Sequence, residues 1–468
     1  MVRTVEIPLA TQFAQSKAKQ FSSEKIVNMY AETNSKKKVN LYGRSGLTLF
    51  SDIGSRPVYA LHEWKENVYA IVGNNLYKID ATGGSIDLGT IGTVNQPIQI
   101  FDNPNELIIL NNQNGATFTY DSVNGLRQVD DSDFRNPTTG TFLDGYAIFS
   151  ERDTDVFFIS DIDDARSYSA LDFASAEASS DKLVRVFGTL KYLWCFGERT
   201  IEVFQNTGAS SFPFRNVAGT NYQQGCAAPL SVAQTENVLF WLNADNSVWS
   251  FVGSPRKIST YDIEARINSF DRTDNAIGFG FTEAGHDYYC INFPNNGTFL
   301  YDLSEAKWYE WKTFEQNYWT INCHVWAFGK NIVGDATTGK LYYLDSSNYT
   351  DNGKTMVSEV VTPNLFNDTN TVFIDRLEAR WESGVGLLEG QGSDPQVMLQ
   401  RSLDGGVTFS KEIWRKISKR GEYNINKTIW HNLGAGDNVS FKIKISDPVK
   451  RNLMGLYATV RAGGVDDR

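Results

Sequence analysis

The chain has 468 residues, more than one compact core accommodates, and at about 150 residues per domain it has room for two or three. Hydrophobic residues at 41 %, aromatics at 13 % and 38 Gly against 12 Pro describe a folded chain and exclude a disordered or collagen-like one. The net charge of -11 is unevenly spread: residues 1–57 hold nine Lys/Arg against four Asp/Glu, residues 411–468 hold twelve against six, and 58–410 therefore carry -22. A uniform nucleic-acid binder needs a basic face that displaces counterions from phosphate, and an acidic body of this size excludes it.

From the N-terminus, residues 1–57 have little periodicity and include the run Lys36-Lys37-Lys38, which predicts an extended basic arm and first-strand region. Seven segments then share one pattern: an apolar strand, a Gly/Asn/Asp turn, and an apolar-aromatic strand that usually ends in Asp. They are VYAIVGNNLYKID, ELIILNNQNGATFTYD, YAIFSERDTDVFFISD, LWCFGERTIEVFQN, VLFWLNADNSVWSFV, YYCINFPNNGTFLYD and NIVGDATTGKLYYLD, ending at Asp80, Asp121, Asp161, Asn206, Val252, Asp302 and Asp345. The spacings of 41, 40, 45, 46, 50 and 43 residues fall in the ~40 to 50 of a four-stranded propeller blade. The prediction is an all-β chain with a β-propeller over 58–346, most simply of seven blades, since a ring lets each sheet bury both faces against neighbours.

One helical stretch interrupts the strands. Ile263, Ile267 and Phe270 share a face behind Asp262 and Glu264, which predicts a short inter-blade helix within Ser259 to Phe270. The polar stretch 347–356 reads as a linker. Beyond it, alternating segments such as VFIDRLEARW, QVMLQRSL and NVSFKIKISD predict a C-terminal β-sandwich over 357–468.

Motifs of catalysis are weak. Gly334, Gly339 and Lys340 have the spacing of a phosphate-binding loop, but Leu341 stands where Ser or Thr would ligand magnesium and a strand follows, so a hairpin turn is the better reading. Ser402, Asp404, Gly406, Thr408 and Phe409 have the form of an Asp-box hairpin, a folding device in which Asp caps the turn and Gly supplies a positive φ. Carboxylates crowd between Asp130 and Asp164 without a calcium-loop pattern and read as a solvated rim. His62, His286, His324 and His431 are scattered, and the four cysteines form no Cys-x-x-Cys pair. No catalytic, cofactor-binding or metal-ligating residue is assigned, and no apolar run approaches the ~20 residues of a membrane span.

Several stretches carry a family likeness. NMYAE at 28–32, GLTLFSDIGSRPVYALHEWKENVYAIVGNNLYKI at 46–79, FGERTIEVFQNTGASSFPF at 196–214, QGCAAPLSVAQTENVLFWL at 224–242 and WHNLGAGDNVSFKIKISDPVKRNLMGLYATV at 430–460 resemble, in order, the packaged-DNA stabilisation proteins of short-tailed phages. The most specific are Phe196 to Glu202 and Ser446 to Lys450. The resemblance implies a non-enzymatic virion protein of the head-to-tail connector, assembled in the host cytoplasm. It implies a homo-oligomeric ring, a hexamer most simply, below the portal and its adaptor, with spike, needle or nozzle proteins beneath and DNA passing without sequence-specific binding. Asn28, Met29, Tyr30, Lys36, Lys37, Lys38, Asp447, Lys450 and Arg451 are candidate contacts to other subunits or partners. The competing expectation is a carbohydrate-binding or glycoside-hydrolysing propeller with a sandwich module, which requires a deep hub lined by Trp or Tyr and two carboxylates about 5 to 10 Å apart.

Overall fold

A computed structural model describes residues 2–176, 181–366 and 371–462. Each of the seven repeated segments is a central strand pair, as in Asn67–Val72 with Asn75–Ile79 and His286–Phe293 with Gly297–Asp302. The Asp that ends many of them caps the following turn. Asp121 Oδ1 accepts from the backbone N–H groups of Val123 (2.8 Å) and Asn124 (2.7 Å), and Asp80, Asp302 and Asp345 do the same for the turns after them. The Asn124 backbone N–H is the main cause that brings the Asp121 carboxyl down to about 2.

Four-stranded antiparallel sheets cover 58–90, 99–128, 137–175, 183–216 and 233–257, and a further one joins 321–345 to Gly46–Asp52. These six are self-contained blades, where the sequence predicts seven. The remaining repeat, 277–310, has the same four antiparallel strands but does not stop at its outer edge. Lys307–Glu310 meets Ser23–Val27 in parallel, and the sheet runs on through Ser358–Val361, Ser440–Ile445, Gln396–Ser402 and Ile413–Lys416, with Ala14–Gln15 beside Ser23–Val27 as the tenth strand. An edge that would otherwise present unpaired N–H and C=O groups is covered by the second domain.

The innermost strands stand side by side around one axis, and lateral hydrogen bonds stitch each to the next. His62 Nε2 meets Asp102 Oδ1 (2.7 Å), the Gly140 N–H donates to Gln99 Oε1 (3.1 Å), and the Val186 N–H donates to Thr139 Oγ1 (3.1 Å). Thr189 bonds Gln234, Tyr289 Oη donates to the Ser231 carbonyl (2.8 Å), Asn292 Nδ2 to the Ile321 carbonyl (2.6 Å), and Asn322 Nδ2 to the Val58 carbonyl (3.3 Å). The predicted helix is present as α1, Tyr261–Ile267, with Thr260 capping the N–H of Ile263 and with Ile263 and Ile267 fully buried.

Among the described residues the N-terminal region forms paired strands, where the sequence predicts an extended arm. Val2–Ile7 pairs with Asn452–Ala462, Met29–Thr33 and Val39–Gly43 form a hairpin in the same seven-stranded sheet, and Gly46–Asp52 is the outer strand of the blade built on 321–345. The physical reason is alternation: Met29, Ala31 and Leu41 are buried while Tyr30, Asn40 and Tyr42 between or beside them are only half-buried, as in strands of one covered face.

The seven-stranded sheet, which includes Val372–Trp381 and Lys427–His431, lies over the outer part of the ten-stranded one as the sandwich. Its core of Ile26, Leu377, Trp430, Phe441 and Leu456 continues without a break into Tyr288, Trp311, Trp319 and Ile321 of the propeller. Propeller and sandwich share a core and a sheet. Cys195, Cys226 and Cys290 are buried free thiols and Cys323 is half-buried; burial pushes Cys226 up to about 11. No helix among the described residues is long and apolar enough to cross a membrane.

Candidate functional site

Two places concentrate chemistry: the junction between propeller and sandwich, and the propeller hub. At the junction the chain passes from Ser23–Val27 in one sheet to Met29–Thr33 in the other, and Asn28 makes that turn at φ 54°. Asn tolerates this left-handed conformation better than other residues with a Cβ. Its amide is fully used: Nδ2 donates to the carbonyls of Lys312 (3.0 Å) and Val357 (2.8 Å), and Oδ1 accepts from Arg44 Nε (3.0 Å) and the Lys312 N–H (2.9 Å).

Arg44 is 1 % exposed and lies against the Trp311 and Trp319 rings, 5.4 and 5.7 Å from their centroids. Its Nη2 donates to Asp351 Oδ2 at 2.7 Å and its Nη1 to the Ser45 carbonyl at 2.9 Å. Beside it Glu310, also buried, lies between Lys25 (3.1 Å) and Lys312 (2.9 Å). Burial would raise its carboxyl, but the two ammonium groups outweigh that and hold it below the usual range. His286 is held by Asp302 (2.8 Å) and faces Glu32 (3.5 Å). The Asp302 hydrogen bond is the first cause of an imidazole held above its ordinary value.

At the hub, the starts of the innermost strands surround a mouth of about 340 Å³ lined by Gln96, Thr138, Pro229 and Asn275. Pro97 and Leu230 are shared between this mouth and a narrower cavity of about 190 Å³, lined further in by Tyr59, Gln99, Arg185, Phe279, Asn322 and His324. No Asp or Glu lines that cavity among the described residues, and no Trp. Phe279 stacks on His324 (centroids 6.0 Å, 17°), and burial pushes the imidazole down to about 4, so it is neutral near pH 7.

Residues 5–349 match the family described as bacteriophage P22 Gp10, β-propeller, and residues 358–461 match bacteriophage P22 Gp10, β-sandwich. The chain belongs to the bacteriophage P22 Gp10 family. It is thereby a structural protein of the phage virion. No curated protein matches the chain. Solved structures similar over 64–65 % of it include a streptogramin B lyase (12 % identity, 98 % of that chain, TM-score 0.42). A computationally designed protein, Ika8 (12 %, 100 %, 0.40), and the Pan2 WD40 domain of Neurospora crassa (8 %, 95 %, 0.42) are others, all too remote to carry an argument.

Within this Gp10-family chain the sequence-derived candidates separate into two groups. Asn28, Met29 and Arg451 are buried at the junction between propeller and sandwich. Arg451 Nη2 donates to the carbonyls of Met356 and Asp447, both at 2.9 Å, and burial with the nearby Arg44 guanidinium lowers its pKa to about 10. Tyr30 is half-buried, stacked on Tyr42 (5.7 Å) and edge-on to His286 (5.0 Å). Lys36, Lys37 and Lys38 are exposed on a hairpin tip whose N–H groups Asn34 caps. Lys450 is exposed and paired with Glu382 (2.8 Å), while Asp447 Oδ2 accepts from the Gln396 N–H (2.8 Å).

The Asp-box residues form one capped hairpin. Asp404 accepts from the N–H groups of Val407 and Thr408, Ser402 Oγ donates to it at 2.6 Å, and the Gly406 N–H donates to Ser402 Oγ at 2.7 Å with Gly406 at φ 84°. Partial burial raises the Asp404 carboxyl, yet these donors bring it to about 2. Phe409 lies under Lys442 Nζ (3.9 Å). In the stretch Phe196 to Glu202, the N–H of Arg199 and both donors of Thr200 bond Asp181, fixing the turn. Arg44, Glu310, His286 and Arg185 were not singled out in the sequence as site residues; buried charge has no local signature.

Proposed function

We propose that several copies of this protein, six most simply, form a ring in the head-to-tail connector of a short-tailed phage. The ring sits below the portal and its adaptor, closes the DNA channel after packaging, stabilises the packaged genome and offers an attachment hub for spike, needle or nozzle proteins. The observation that carries this reading is the family match over both the propeller and the sandwich. The role is structural and non-catalytic, with assembly in the host cytoplasm.

The physics of the chain supports the reading. The hub cavity of about 190 Å³ holds about half a dozen water volumes, so a duplex does not pass through one propeller, and the conduit belongs between copies. The -22 carried by 58–410 repels DNA, so like charge along a conduit wall would ease sliding during ejection while geometry provides closure. The exposed Lys36 to Lys38 tip and the basic stretch 411–420 suit acidic surfaces of neighbouring copies. Continuity of sheet and core between the domains suits a part that must hold its shape under internal pressure.

The test is assembly of the purified chain onto a portal and adaptor complex, read by mass and by electron microscopy. A saturating ring of copies below the adaptor is expected. A chain that stays free, or binds at a single off-axis position, would overturn the reading.

A further inference from the structure

The hub holds one feature that a structural ring does not require. Arg185 lies on the innermost strand Leu183–Thr189, at a register shift between Leu183 and Arg185, and lines the 190 Å³ cavity. It is 8 % exposed, yet its Nε and Nη1 are buried with no hydrogen-bond acceptor among the described residues. Its guanidinium lies 5.5 Å from the Phe187 ring and near the buried Cys226 thiol, which is neutral. Arg185 is the only charged side chain lining the cavity among the described residues.

The neighbouring polar groups do not neutralise it. Gln99 is engaged with Gly140, Asn322 Nδ2 donates to Val58, and His324 Nε2 is paired with Asn331 Oδ1 at 2.9 Å. Desolvation, with no carboxylate to offset it, lowers the guanidinium to about 10. A buried ion without a partner is strongly unfavourable, and buried polar groups in folded proteins almost always find one. The guanidinium carries N–H donors in a fixed fork whose natural acceptor is a carboxylate or phosphate. The surrounding body is acidic, so non-specific anion attraction would not fill this place.

We infer that the propeller hub is a binding site for one small oxyanion, phosphate or carboxylate, held by Arg185 and reached through the mouth lined by Gln96, Thr138, Pro229 and Asn275. The ligand enters on the axis, where all blades meet, and completes the packing of the ring from inside. This inference stands on the cavity and its unpartnered cation, independently of the connector role.

The experiment is calorimetric titration and thermal unfolding of the full chain with sodium phosphate and, separately, sodium acetate, against sodium chloride at matched ionic strength. Arg185→Met removes the cation at similar length, Arg185→Lys keeps the charge without the fork, and Arg461→Gln alters an exposed cation of the sandwich that is paired with Asp375, away from the hub. Saturable one-to-one binding of phosphate or acetate is expected, weakened at least tenfold in Arg185→Met and unchanged in Arg461→Gln. Binding of phosphate alone marks a phosphate site, and binding of both marks a general oxyanion site. If Arg185→Met does not fold, Arg185→Lys serves, with a loss of affinity expected. Absence of saturable binding by either anion, or equal affinity in wild type and the Arg185 variants, would overturn the inference.

Discussion

Replacing Arg44 by Met tests whether the junction is held by its buried ion pair. In the folded chain the Arg44 and Asp351 side chains are 0 % and 4 % exposed and meet at 2.7 Å, so Arg44→Met leaves the Asp351 carboxylate dry and unpaired. Breaking a buried pair from one side costs about 3–5 kcal/mol, because the surviving charge keeps its desolvation penalty without its partner. The same change frees Asn28 Oδ1 of one donor and removes the cation packed on Trp311 and Trp319, so the loss should lie in the upper half of that range. The assay is urea unfolding followed by tryptophan fluorescence, since two indoles adjoin the perturbed group. Removing both charges, as Arg44→Met with Asp351→Leu, should recover most of the loss, since an apolar pair of similar volume often matches a buried ion pair. A single variant that loses under about 1 kcal/mol, or a double variant less stable than the single, would refute the reasoning.

Gly225→Ala should destabilise by about 1–3 kcal/mol, because a Cβ there would sit 2.0 Å from the Glu198 carbonyl oxygen and 2.5 Å from the Arg199 nitrogen, both backbone; thermal unfolding checks it. His286 has a raised folded-state pKa, so its contribution is full below about 6.5 and fades as pH rises through the folded value. His286→Gln should therefore flatten the stability profile on the neutral side, and a profile of unchanged slope would contradict this. Asp121 and Asp404 are held near 2, so their contributions are complete above the unfolded value near 3.8 and disappear as pH falls through about 2. Asp121→Asn and Asp404→Asn should each reduce the acid-limb slope in pH-dependent unfolding.

The repeat was the most legible part of the chain, because the signal is local and recurs: an apolar pair of strands and an Asp whose carboxylate caps the next turn. The seven hairpins from VYAIVGNNLYKID to NIVGDATTGKLYYLD needed no long-range information. The edge of the 277–310 unit did, since nothing in LSEAKWYEW says that Ser23–Val27 will lie beside it. The same limit explains the N-terminus. Met29 to Thr33 alternates as a strand should, but its partner Val39 to Gly43 pairs in turn with Asn452 to Ala462, some four hundred residues away. A three-lysine tip between two short strands reads as a solvated arm when the far strand is out of view.

The candidate contacts divide along the same line. Lys36 to Lys38 stayed on the surface because three consecutive lysines cannot all be paired inside a sheet. Arg451 did not, because its pocket is assembled from the carbonyls of Tyr349, Met356 and Asp447 in three separate stretches of chain. Arg185 is the sharper case, since its strand reads as VRVFG, an ordinary alternation with one polar residue. Only closure of the ring shows that this residue points to the axis side and meets no acceptor.

The most direct measurement of the central claim is genome retention in particles assembled without this protein and then supplied with it. Packaged DNA is counted by nuclease protection before and after addition of the purified chain. Particles lacking the protein should lose their DNA, and adding it after packaging should restore protection up to the stoichiometry of one ring per particle. Particles that hold their DNA equally well with and without it would contradict a role in closing the channel.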